Sequence, residues 1–300
     1  MTNDNRFVVT KEKLKLAQNK MLDMLLCFQK FCKEYQLQFY LHGGAAIGAV
    51  REHGFVPWDD DIDILMPRPD YEQFCKLWNE SDYSKRYVFC KTSREVNYHH
   101  PCASIRDPNT TFICSYNANL EICHGLALEI GPVDACPDNL LLHWVQLFYA
   151  FVFVLFNTQR LPNNKGSFIR KCSWIIYKLF PSANIRYKIW RHAEKEISKY
   201  SWEKCNYVAE LRGKIKFMLK RYPKSWFDSS VMFDFCGYKI PLMIGYDQYL
   251  KGIFGDYMQR PPEKEQIAMH DIVFADFEQS YIKYRNIYYF PNSKNVGGAM

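Results

Sequence analysis

The sequence predicts an α/β (α+β) protein: a mixed sheet flanked by helices, with a basic helical insertion in its second half. Three observations predict it. Apolar residues recur at steps of three and four near the start, short strand-like runs end in glycine or proline, and one long apolar run leads into a segment crowded with Lys and Arg. With 48% hydrophobic and 24% charged residues in 300, the chain has ample material for a packed core and is no disordered scaffold.

Thr10 caps a helix in which Leu14, Ala17, Met21, Leu25, Phe28, Phe31 and Tyr35 share one buried face. Phe39-Tyr40-Leu41 reads as a short strand ending in His42-Gly43-Gly44, after which Ala45 to Arg51 resume as helix because glycine permits the sharp turn. Next comes Asp59-Asp60-Asp61-Ile62-Asp63-Ile64-Leu65-Met66, whose second half alternates polar and apolar until Pro67 and Pro69 stop it; Asp61 and Asp63 then share one strand face. Asp70 and Gln73 suggest a capping box for a helix carrying Tyr71, Phe74, Leu77 and Trp78. Strands are expected near 87–89, 103–105, 111–113 and 126–130, the last closed by Gly131-Pro132. The resulting division is a catalytic core over 1–137, an apolar then basic helical insertion over 138–230, and a C-terminal segment over 231–300 that completes the site.

The net charge of +7 is localised. Residues 161–225 hold 16 Lys or Arg against 4 Asp or Glu, so the rest of the chain is slightly acidic. The apolar run from Leu140 to Phe156 precedes this segment, which also carries Trp174, Tyr177, Tyr187 and Trp190. It reads equally as a core helix beside solvated basic faces or as a helix lying on an anionic membrane surface; a true span is the weaker alternative at this length. Eleven cysteines, odd in number, scattered and without a C-x-x-C pair, read as reduced thiols in the cytoplasm and not as a zinc site; on the membrane-surface reading of the apolar-then-basic stretch, the protein would sit at the inner face of the plasma membrane. No RNA-binding motif accompanies the basic segment, so no nucleic acid is expected.

Four acids in five positions repel one another unless a cation sits among them. Hard Mg²⁺ or Mn²⁺ is held by a few carboxylate oxygens plus substrate phosphates, which makes Asp59, Asp61 and Asp63 the candidate ligands. The Gly43-Gly44 turn, about one helix upstream, offers backbone amides for those phosphates. A Gly-Gly turn, a helix, an acidic strand and a carboxylate on a later strand match the nucleotidyltransferase superfamily, and hence a nucleotidyltransferase-like sheet.

The stretch from Leu41 to Asp63, containing His42-Gly43-Gly44 and Trp58-Asp59-Asp60-Asp61-Ile62-Asp63, closely resembles the LicD family of phosphocholine and pentitol-phosphate transferases. Met66-Pro67-Arg68-Pro69-Asp70-Tyr71, Ile105-Arg106-Asp107, Tyr249-Leu250, Phe254-Gly255-Asp256-Tyr257-Met258, Pro261-Pro262-Glu263 and His270 extend the resemblance in order. Glu129 stands where the family usually has aspartate, and Gln266 near a usual arginine. The resemblance implies metal-dependent transfer of a phosphoalcohol, with phosphocholine from CDP-choline placed first, to a hydroxyl of a cell-envelope glycan or its lipid-linked precursor, such as a lipopolysaccharide or teichoic acid. In this reading Asp61 and Asp63 are catalytic through the metal, Glu129 or else Asp134 accepts the hydroxyl proton, and Arg106 and His270 hold phosphate oxygens. Ribitol- or glycerol-phosphate transfer and nucleotidyl transfer from an NTP are the competing reactions. A basic docking module without activity is the non-enzymatic alternative.

Overall fold

Thr10 accepts a hydrogen bond from the Lys13 amide and opens helix α1, Lys11–Glu34, in the computed structural model, which describes residues 9–159, 171, 175–213, 215–268 and 270–291. Trp174 lies outside them. The expected apolar face of α1 is buried, and Phe28 and Phe31 meet Phe74 and Trp78 of α3 (Arg68–Leu77 and the turn after it) at ring distances of 4.9–6.2 Å. Edge-to-face contacts of this kind add to the area they remove from water. The α3 helix does not begin at Asp70 as expected. It begins at Arg68, because Pro69 fits a first helical turn that needs no amide donor, and Asp70 lies inside that turn facing the positive end of the dipole.

The sheet is mixed. Strands β1 (Tyr40–His42), β2 (Ile62–Pro67), β3 (Val88–Cys90), β4 (Ala103–Arg106) and β6 (Ala127–Cys136) lie in the order β1-β2-β6-β4-β3. β6 runs parallel to β2 and antiparallel to β4. It continues through Gly131-Pro132, where a strand end was expected, for ten residues. A Cβ at Gly131 would stand 2.3 Å from the Arg212 guanidinium carbon, so the glycine is a place where a side chain crosses the strand and not a terminator.

Asn139 caps α4, Leu140–Thr158, and Ser182 caps α5, Ala183–Ser198. The two helices pack through Leu147, Ala150, Phe153 and Phe156 against Trp190, Ala193 and Ile197. Gln146, which interrupts the apolar run, donates to the carbonyls of Ala135 and Ile197 at 2.8 Å each and so ties β6, α4 and α5 together. By length and composition α4 is able to cross a membrane, but one of its faces is packed on α5. The stretch expected as helical insertion also holds β7 (Tyr207–Ala209) and β8 (Tyr222–Pro223), which join the main sheet through the far half of β6. A short helix α6, Ile215–Met218, lies between them. Beyond come the hairpin β9 (Ser230–Phe235) and β10 (Tyr238–Met243), helix α7 (Tyr246–Phe254), and β11 (Ile272–Asp276), which pairs with β5 (Thr111–Cys114). The ten described free cysteines form no disulfide.

Candidate active site

Register decides what shares the site. On β1, β2, β6 and β4, the residues His42, Asp63, Glu129 and Ser104 are direct neighbours in one cross-strand row. Side chains in such a row project on the same face about one strand spacing apart. Asp61, one step before β2, joins Asp63 in a cavity of about 350 Å³ together with His42, His100, Glu129, Glu210, Arg212 and His270. A smaller recess shares Asp61, Glu129 and His270 and adds Asp60 and Arg106.

The acids crowd as the sequence suggested, with one difference in membership. Asp59, Asp60 and Asp61 each place an oxygen within 4.8 Å of the others, while Asp63 turns toward His42, its Oδ2 3.8 Å from Nδ1. Burial, then the neighbouring Asp60 and Asp63, push the Asp59 carboxyl up to about 7; burial, then Asp63 and Asp59, push Asp61 well above the usual carboxylate range. Oδ2 of Asp59 and Oδ2 of Asp60 are buried without a hydrogen-bond partner. Orphaned hard oxygens in a self-repelling group fit a divalent cation.

The glycine turn is built against these acids. Gly43, at φ +57°, opens helix α2, Gly43–Arg51, in a conformation that only glycine adopts freely, and a Cβ there would lie 3.5 Å from Asp63 Oδ2. A Cβ on Gly44 would stand 1.9 Å from Asp59 Oδ2. Gly44→Ala should therefore displace Asp59 and lower turnover about 100-fold while the fold survives, measured as kcat beside a thermal melt; unchanged kcat would show that Asp59 is free to move.

Of the proposed contacts, His270 and Arg106 come to the acids. His270, just before β11, has Nδ1 3.0 Å from Asp60 Oδ1 and Nε2 3.8 Å from Asp61. Burial favours its neutral ring, but Asp60, Asp61 and Glu129 outweigh burial and raise it to about 9. Arg106 is buried, donating to Ser104 Oγ and the Cys123 carbonyl. Glu129 is held at 2.9 Å by His100 Nε2; burial would raise its carboxyl, but His100, then Arg106 and His270, bring it down to about 2.

Asp134 does not come to the site. It is fully buried and bound by both Arg68 nitrogens, Nε to Oδ1 at 2.6 Å and Nη2 to Oδ2 at 2.9 Å. Its position five residues after Glu129 on β6 places it beside β7, and its oxygens are occupied by an ion pair that holds α3 to the sheet. Arg51 likewise braces the fold, donating to the carbonyls of Tyr257 and Gln259. Gln266, near the position of a usual arginine, donates instead to the Pro261 carbonyl.

Sequence reasoning missed Asp60, His100, Glu210 and Arg212. Glu210 and Arg212 follow β7 at alternate positions, the period-two signal of one strand face, but lay hidden in a segment read as helical. Glu210 accepts from Tyr249 Oη and lies 3.3 Å from His42 Nε2, and Arg212 Nη1 lies 2.9 Å from Cys102 Sγ with its Nε unpartnered. Burial alone would raise Glu210, yet His42 and Arg212 hold it down to about 2, and its partnership with Asp63 and Glu210 raises His42 against burial.

A carboxyl lowered in the folded state stabilises above its ordinary pKa and loses that contribution as acid protonates the native form. Glu210 should thus contribute up to about 3 kcal/mol that disappears between about pH 4.5 and 2. Urea midpoints at about pH 5 and about pH 3 should converge for Glu210→Gln more than for the wild type; parallel losses would remove Glu210 from that role.

Two of the acids, the later carboxylate and His270 thus meet in one cavity, with the glycine turn packed behind the acids. Residues 36–105 match the family model described as LicD/FKTN/FKRP, nucleotidyltransferase domain. The chain carries a LicD-family domain. The match covers α2, the acid cluster and β2 through β4. Beyond the domain, the chain is 26% identical over 265 residues, 86% of its own length and 97% of the other, to the lipopolysaccharide cholinephosphotransferase LicD of Haemophilus influenzae. The likeness supports a phosphotransferase enzyme.

Proposed function

We propose that this LicD-type protein transfers phosphocholine from CDP-choline to a hydroxyl of an envelope glycan, a lipopolysaccharide or its lipid-linked precursor. The observation that carries the reading is the row in which Asp63 and Glu129 stand opposite each other on parallel strands, with Asp61 and His270 in the same cavity. Asp59, Asp61 and Asp63, with Asp60 beside them, would hold Mg²⁺ or Mn²⁺, which when bound supplies positive charge to offset that building on the leaving CMP. Arg106, Arg212 and His270 would present cationic nitrogens to phosphate oxygens, and the first turn of α2 packs closely against the same acids. Glu129 accepts the proton of the attacking hydroxyl, oriented by His100. The ring of Phe217 and the carboxylates of the cavity wall suit a quaternary ammonium group, which favours choline over ribitol or glycerol.

The test is release of CMP from CDP-choline, CDP-ribitol and CDP-glycerol, with glycan extract as acceptor and with Mg²⁺, Mn²⁺ or chelator. CMP from CDP-choline that chelator stops supports the reading. Pyrophosphate released from an NTP would replace it with nucleotidyl transfer. Glu129→Gln should lower kcat between about 100- and 10,000-fold with KM for the donor little changed; a change confined to KM would make Glu129 a binding group instead.

A further inference from the structure

The α4 helix is buried on one side only. Leu141, Trp144 and Phe148 are 76%, 60% and 62% exposed, and Leu140, Leu142, Val145 and Phe151 are exposed with them. These positions recur at three and four along the first three turns, so they form one stripe, while the opposite face packs on Trp190 and Ala193. An aqueous surface seldom keeps so many large apolar side chains contiguous without a partner.

Position along the helix links the stripe to the site. Trp144, Phe151 and Thr158 are seven residues apart, a spacing that drifts only about 20° around the axis per step. Thr158, on that line about 10 Å beyond Phe151, lines the catalytic cavity, and its carbonyl lies 2.8 Å from His99 Nδ1. The apolar stripe and the cavity mouth therefore share one side of α4. Charge lies close by: the chain following α4 carries the excess of Lys and Arg between 161 and 225, and exposed Lys178 belongs to the helical stretch that meets the far end of α4. Residues 175–179 are helical and lie against the far end of α4, where Tyr177 Oη donates to the Leu155 carbonyl, and they present Leu179 beside Lys178.

We propose that the exposed face of α4 is a docking surface for an anionic lipid bilayer, lying in the interface rather than crossing it, so that the cavity opens toward acceptors anchored in that bilayer. Apolar insertion supplies the attachment and the neighbouring basic residues the preference for anionic headgroups. Gln146 on the packed face donates to the Ile197 carbonyl of α5, a bond that a helix committed to α5 makes and a bilayer span does not need. The surface stands apart from the donor assignment, since binding to vesicles is read without any transfer assay.

The full chain is co-sedimented with vesicles of phosphatidylcholine alone and of phosphatidylcholine mixed with phosphatidylglycerol. The expected result is binding to the anionic vesicles, weakened by salt and released by alkaline carbonate. Leu141→Glu/Phe148→Glu, whose exposed sites keep the thermal melt unchanged, should bind about ten-fold more weakly. Equal binding by the variant, no binding by the wild type, or retention through the carbonate wash would each overturn the proposal. So would a wild-type dimer in solution that the same two substitutions dissociate, because the stripe would then be covered by a second copy of the chain.

Discussion

Asp61→Asn/Asp63→Asn should abolish CMP release, by about 1,000-fold or more, and at the same time raise the melting temperature of the protein in chelator. The two effects share one cause. Burial and mutual repulsion drive the Asp61 carboxyl well above its ordinary range and Asp59 to about 7, so each charge opposes the fold that holds it. Neutral amides of the same shape relieve that repulsion and leave Asp59 and Asp60 with fewer like neighbours. A divalent cation relieves it too, and only the native state gathers the ligands, so Mg²⁺ or Mn²⁺ should raise the melting temperature of the wild type and not of the variant. Thermal melts with and without cation, run beside the CMP assay, check all of this. A variant that melts below the wild type in chelator would show the acids to be stabilising partners of His42 and His270 rather than a self-repelling group.

The second large effect concerns the fold. Asp134→Ala should destabilise by about 3–5 kcal/mol, because it strands the Arg68 guanidinium in a site where both partners are buried. Arg68→Met/Asp134→Leu removes both charges and fills similar volume, and should recover most of the loss in urea denaturation. Its kcat per folded molecule should match the wild type, since neither side chain reaches the cavity. A folded double variant with kcat lowered as far as in Glu129→Gln would return Asp134 to the chemistry.

What the sequence makes legible divides along a physical line. The glycine turn and the acids were readable because their neighbours in the chain explain them, alternation placing Asp61 and Asp63 on one face, whereas Glu129 was singled out through the family resemblance. Helix α1 and the apolar α4 were readable because periodicity survives whatever packs against it. Asp134 misled for the converse reason. Its companion Arg68 is 66 residues away, and nothing local distinguishes a buried paired carboxylate from a catalytic one. Asp60 was not among the candidate ligands, because the histidine that pairs with it lies 210 positions along. Glu210 and Arg212 were hidden by composition, because the basic segment around them averages to a solvated helix while β7 slips between helices for three residues. Nor does any local rule anticipate that Gly131 is the place where Arg212 crosses a continuing strand.

The scattering of the cavity's residues along the chain also has a consequence for biosynthesis. The acids are made early, but Glu210 and Arg212 follow some 150 residues later and His270 later still. Until the strand that follows His270 has emerged from the ribosome and paired with β5, the acid cluster lacks the imidazole 3.0 Å from Asp60. A nascent or prematurely ended chain would thus present carboxylates without their cationic wall, and its site would stay incomplete until the C-terminal segment has folded onto it.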